Sequence, residues 1–146
     1  MSVTAKNIAL VAHDQMKRTL VEWVATNANA LEPHRLWATG TTGTNVAARC
    51  PSLQISLLKS GPLGGDQQLG AMIAEGKLDV LFFFMDPMTS LPHDVDVKAL
   101  TRLSTLYNVI FACNSASADF IISSPLFETD YQRRQRDYND YVQRNI

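Results

Sequence analysis

The residues able to do acid–base chemistry fall in short polar breaks between apolar runs. Four carboxylates, Asp14, Asp66, Asp86 and Asp96, stand in such breaks, with His13 beside the first and His93 just ahead of the last. Carboxylates crowded together without matching positive charge repel one another, so at least one must hold its proton more tightly than usual. A carboxyl group shifted in that way is a usable general base near neutral pH. An imidazole beside it serves as electrophile or proton shuttle. Hydroxyls and glycines of the kind that hold an anion lie in neighbouring breaks: Thr39, Gly40, Thr41 and Thr42 in "TGTTG", and Ser60 with Gly61 in "SGPLGGD". Backbone N–H groups at a helix start, hydroxyls and an ammonium together bind phosphate. Lys17 lies four residues past His13 and shares its face if the first helix starts there.

Each of these residues also has a plainer explanation. Asp14 and Asp66 could be helix N-caps, Asp86 a turn residue before Pro87, and the Thr/Gly cluster a turn and cap. "SGPLGGD" fits that explanation least well, because three of the seven glycines fall between Gly61 and Gly65 and capping needs no such loop. His93, Asp94 and Asp96 are chemically able to ligate a metal. However, the chain has three histidines and no His-x-His, HExxH or Cys-x-x-Cys spacing, which leaves an oriented imidazole as the competing reading. His34, before the second strand, is expected at the opposite edge as a surface residue.

The elements that must position these groups follow from the apolar pattern. Short runs rich in Val, Ile, Leu and Phe recur at Ile8–Ala12, Leu36–Ala38, Leu53–Leu58, Val80–Phe84 and Val109–Ala112, which predicts five strands. Helical spacing appears between them, in Met16, Leu20, Trp23, Val24 and Ala28, and in Leu69, Met72 and Ile73 ahead of Gly76. It recurs in Val97, Leu100, Leu103 and Leu106, with a short helix at Ala118–Ser123. Strands alternating with helices require crossovers and a mostly parallel sheet, so the prediction is a single α/β domain: a doubly wound, mostly parallel five-stranded sheet flanked by helices. Ligands of such sheets bind beyond the carboxyl ends of the strands, where all the polar breaks named above fall. The charged segment from about residue 128 to 146 is expected to be a tail or terminal helix, with Tyr131, Tyr138, Tyr141 and Val142 on one face.

Composition narrows the partners. A length of 146 residues, 46% apolar and 18% charged, suits one globular domain with a full core. A net charge of -1 gives no field for nucleic acid or an anionic membrane, so any anion must be held by local groups and the ligand should be small. The apolar run Ile8–Ala12 is too short for a signal-peptide core, and a cytoplasmic location is expected. Cys50 and Cys113, in apolar or small-residue surroundings, are expected as reduced buried thiols.

The segments "ALVAHD", "ATGTTG", "SGPLGGDQQLGAMIAEGKLDVLFFFMDP" and "PHDVDVKAL", in this order, closely resemble methylglyoxal synthases from about Ile8 to Phe127. The resemblance implies a homohexameric lyase, free of cofactor and metal, that turns dihydroxyacetone phosphate into methylglyoxal and inorganic phosphate. It implies Asp66 as catalytic base, completed by Asp96, His93, Asp14 and Asp86. His13, Lys17, Thr39, Gly40, Thr41, Thr42, Ser60, Gly61 and His93 would hold the substrate, and Arg102 is a carry-over for phosphate feedback. "NVIFACNSASAD" departs from the family pattern, as does the chain after Phe127, where Arg144 would otherwise offer a phosphate link. A non-catalytic anion-binding regulatory domain of the same fold, like the allosteric domain of carbamoyl phosphate synthetase, is the alternative. It would need the anion sites but not Asp66, His93 and Asp96. A metal-dependent phosphohydrolase is the third reading.

Overall fold

In the computed structural model, which describes residues 2–89 and 93–144, five strands form one parallel sheet. They are β1 (Asn7–Ala12), β2 (Arg35–Thr39), β3 (Ile55–Leu58), β4 (Val80–Phe84) and β5 (Ile110–Ala112). The helices are α1 (Lys17–Thr26), α2 (Ala28–Leu31), α3 (Gly40–Arg49), α4 (Gly65–Ala74), α5 (Asp94–Leu106), α6 (Ser115–Ser123) and α7 (Asn139–Val142). Part of the "DPMTSLPHDVD" loop and the last two residues of the tail lie outside the described residues.

The spatial order is β3-β2-β1-β4-β5. The chain moves outward from β1 through β2 to β3, then crosses back to place β4 on the other side of β1. The direction of winding therefore reverses between β1 and β4, where such sheets open a crevice at their carboxyl edge. Registers such as Leu10↔Phe82 and Ala12↔Phe84 keep the ends of β1 and β4 level, so the segments leaving them emerge side by side.

Alternation along the strands divides the core into two layers. Ile8, Leu10, Phe82 and Phe84 pack with Leu20, Trp23 and Val24 of α1 and Val46 of α3. Ala9, Val11, Leu81 and Phe83 face the other way, onto Leu69 and Ile73 of α4 and Leu100 of α5. All of β4 is buried, as the unbroken apolarity of "VLFFF" requires of a strand covered on both faces. Removing a side chain such as Leu69 from this layer would destabilise the fold by about 2–5 kcal/mol, enough to displace α4 and the loop before it.

Two features differ from what the sequence predicts. His34 is buried, 6% exposed, not a surface residue. Its Nδ1 accepts the Lys6 backbone N–H at 2.9 Å and its ring lies 4.8 Å from that of Phe127, so the returning C-terminal segment covers it. The tail does not present one aromatic face on a long helix, because among its described residues only Asn139–Val142 is helical. Its backbone is taken up by the body instead. The Lys6 ammonium donates to the carbonyls of Phe127 at 2.6 Å and Thr129 at 2.7 Å, and the Asn108 amide donates to Arg134 at 2.9 Å. Tyr138 packs on Tyr107 and donates its hydroxyl to the Leu106 carbonyl, while Tyr131 and Tyr141 stay exposed.

Candidate active site

A cleft of about 340 Å³ opens at the carboxyl edge of the sheet. Its walls come from the segments after β1, β2 and β3 and from the helix starts that follow β3 and β4. His13, Asp14, Lys17, Thr39, Gly40, Thr41, Thr42, Ser60, Gly61, Asp66 and His93 all line it. Val11, Ala12, Pro62 and Phe83 complete the lining; Val11, Ala12 and Phe83 carry no sequence signal of a site, because an apolar residue at a strand end looks like core.

Asp66 is the most unusual group in the cleft. It is not a cap: Gly64 holds the N-cap position of α4, with no side-chain capping bond, and Asp66 lies inside the first turn. It is 4% exposed, and among the described residues its Oδ2 has no hydrogen-bond partner. The nearest cationic candidate is His93 Nε2 at 3.7 Å, beyond hydrogen-bond length. Burial raises the Asp66 pKa above the ordinary carboxylate range, and the Asp96 charge adds to the rise while His93 and His13 oppose it. Repulsion among carboxylates, expected from the sequence as the cause, is thus secondary to desolvation.

The glycines preceding Asp66 have separate uses. A Cβ on Gly65 would sit 2.0 Å from the Lys59 carbonyl oxygen, so only glycine lets the loop turn back into α4 at this point. A Cβ on Gly61 would lie 3.0 Å from His93 Nε2 and 3.2 Å from Asp66 Oδ2, crowding the pair itself.

His13 is held as a neutral donor. The Asp86 backbone N–H donates to His13 Nδ1 at 2.9 Å, so the proton of the neutral ring resides on Nε2. That Nε2 is buried without a partner among the described residues. Burial first, then the neighbouring His93, lowers the His13 pKa. The ring also meets Phe83 edge-on at 5.0 Å and His93 at 6.2 Å, which fixes its plane.

The remaining carboxylates do not converge on the reacting end. Asp14 has a side chain 86% exposed and pairs with Lys17 at 2.7 Å, a contact that holds its pKa low. Asp86 accepts from Met88 N–H at 3.0 Å and the Thr89 hydroxyl at 2.5 Å, as the turn reading required, and these bonds lower its pKa. Asp96 accepts from Gln67 Nε2 at 2.8 Å and does not line the cleft. It lies three residues past His93 but makes no side-chain bond to it among the described residues. Within the first turn of α5 its backbone N–H takes the His93 carbonyl instead, and its carboxylate faces α4.

The opposite end of the cleft suits an anion. The N-terminus of α3 points into it, with Thr39 at the N-cap making no side-chain capping bond, so its hydroxyl stays available. Lys17 Nζ donates to Thr41 Oγ1 at 2.5 Å, placing an ammonium beside those N–H groups. Arg102 and Arg144 are exposed and outside this lining. Among the described residues no group of three or more His, Cys, Asp or Glu side chains could hold a metal, and no helix is long and apolar enough to cross a membrane. Cys50 is buried and Cys113 half-buried, both free, with thiol pKa values raised by burial.

The chain is similar in sequence and fold to known proteins. The MGS-like domain family matches residues 19–113. Methylglyoxal synthase of Oleidesulfovibrio alaskensis is 55% identical over 139 residues, covering 95% of each chain. That of Proteus mirabilis is 52% identical, covering 98% of this chain and 93% of its own. The crystal structure of methylglyoxal synthase from Elizabethkingia anophelis superposes with a TM-score of 0.92 at 52% identity, covering 97% of this chain and 93% of that one. An aligned span of 139 residues cannot fit within Ile8–Phe127, so the likeness continues into the C-terminal segment.

Proposed function

The chain belongs to the methylglyoxal synthase family, and from that premise we propose that it converts dihydroxyacetone phosphate to methylglyoxal and inorganic phosphate, with Asp66 as the base. The observation that carries the assignment of Asp66 is its buried carboxylate oxygen, unpartnered at the cleft and 3.7 Å from His93. Leaving such an atom without a partner costs about 1–3 kcal/mol or more, and a structural carboxylate has no reason to bear that cost.

Asp66 removes a proton from the hydroxymethyl carbon next to the ketone, leaving an enediolate. His13, as a fixed Nε2–H donor, and His93 on the facing wall stabilise the charge that forms on the ketone oxygen. The hydroxyl of the deprotonated carbon then loses its proton as its C–O bond becomes a carbonyl, and the C–O bond to phosphate breaks. The enolate left behind takes a proton at its terminal carbon and becomes methylglyoxal. Elimination requires the scissile bond out of the enediolate plane. Lys17, Thr39, Gly40, Thr41, Thr42, Ser60 and Gly61 hold the phosphate in that pose.

Asp96 and Asp86 act from outside the lining, Asp86 through the backbone N–H that fixes His13. Asp14 holds Lys17 at the phosphate. Assembly as a homohexamer, phosphate feedback and a cytoplasmic location complete the reading. Phe120, 82% exposed on α6, is an apolar surface that assembly would cover. The deciding experiment incubates the pure protein with dihydroxyacetone phosphate, with and without exhaustive chelation, and follows dicarbonyl and phosphate together. Equal release of both, unaffected by chelation, is expected. Phosphate released with dihydroxyacetone instead would make the protein a hydrolase.

A further inference from the structure

The two glutamines after Asp66 are used neither by the core nor by the chemistry above. Both are exposed, where a helix surface needs only a solvated side chain. Each nevertheless makes one directed bond away from α4. Gln68 Oε1 accepts the Lys59 backbone N–H at 2.8 Å, and Gln67 Nε2 donates to Asp96 Oδ1 at 2.8 Å. The first turn of α4 is therefore braced on one side to the loop that carries Ser60 and Gly61, and on the other to the first turn of α5.

Among the described residues, Gln67 to Asp96 is the one side-chain hydrogen bond joining α4 to α5. The rest of that contact is apolar, with Leu69, Ile73, Leu100 and Leu103 in one cluster and Gly70 letting Leu103 approach closely. Apolar packing holds the helices together but is non-directional. A polar tether at the helix starts, where Asp66 and His93 are mounted, sets their register. Asp66 Oδ2 and His93 Nε2 have no direct hydrogen bond to do so at 3.7 Å.

We propose that Gln67 is a positioning residue: its amide holds the Asp96 carboxylate against α4 and thereby fixes the spacing between Asp66 and His93. The proposal rests on the lyase reading given above. The test is steady-state kinetics of the assembled enzyme with dihydroxyacetone phosphate for Gln67→Ala, Gln67→Glu, Asp96→Ala and the Gln67→Ala/Asp96→Ala pair, each with a melting curve. Gln67→Ala should melt with the parent and lose about tenfold in kcat at a KM within about twofold, since misplacement by about 1 Å can cost up to ~100-fold. Gln67→Glu keeps the length but lacks the donor, so it should lose at least as much, and it carries the test if the alanine variant misfolds. Because Gln67 acts through Asp96, the pair should be no slower than Asp96→Ala alone. Parental kcat in both Gln67 variants, or losses that multiply in the pair, would overturn the positioning role and leave the lyase reading intact. A parent that releases no methylglyoxal would remove both.

Discussion

At the amino edge of the sheet Lys6 is buried with its ammonium satisfied by the Phe127 and Thr129 carbonyls, whereas at the carboxyl edge Asp66 is buried with an oxygen that has no partner among the described residues. Arg133 repeats the first pattern, donating to the carbonyls of Tyr107, Asn108 and Leu78 and lying 3.6 Å from Asp79. His13 Nε2 and His93 Nδ1 repeat the second. Among the described residues His34 Nε2 is the one exception at the amino edge. Burial with partners closes the fold at that edge. Burial without partners, concentrated around one cleft, keeps polar groups desolvated and ready for a substrate.

The largest effect that could break this contrast is at the carboxyl edge. His93→Gln should fold as the parent does and lose at least ~100-fold in turnover, measured as methylglyoxal release, because it removes an imidazole facing the reacting atoms. At the amino edge Lys6→Met should do the reverse. It leaves the buried Phe127 contact and the part-buried Thr129 contact without their donor, so denaturant unfolding should show a loss of about 1–3 kcal/mol with turnover unchanged. The smallest effect is expected at the anion end of the cleft. Lys17→Ala should raise KM about tenfold, the low end of what losing a hydrogen bond to a charged group costs, and change kcat little.

The sequence and the structure agree most closely where the pattern is local. Five apolar runs became the five strands, and the polar breaks after the first four lead into the cleft, because strand ends are marked by the loss of apolar residues. What depends on long-range contact was hidden. His34 is buried by Phe127, and the helical spacing of the tail gives way to bonds from Lys6 and Asn108, which lie far away in the chain. The direction of each side chain was equally hidden. Asp14, Asp86 and Asp96 stand at the expected strand ends, yet Lys17, Thr89 and Gln67 draw their carboxylates aside. Among the described residues only Asp66 enters the cleft with an unsatisfied oxygen. Gln67 itself, an ordinary helix-surface residue type, had no sequence signal beyond its place in "GGDQQ".

Asp66→Asn tests the central claim most directly, with turnover and melting temperature read on the same sample at neutral pH. Burial raises the Asp66 pKa in the folded state, so between the ordinary carboxylate value and the raised one the native protein binds more protons than the unfolded chain. Stability is therefore lost as pH rises through that window and stays lost above it. Asparagine cannot ionise and is spared this loss, so the variant should melt at or above the parent's temperature. As it cannot take a proton from carbon either, methylglyoxal release should fall by at least ~100-fold. A variant that melts well below the parent and retains most of its turnover would mean that Asp66 supports the helix and leaves the chemistry to another group.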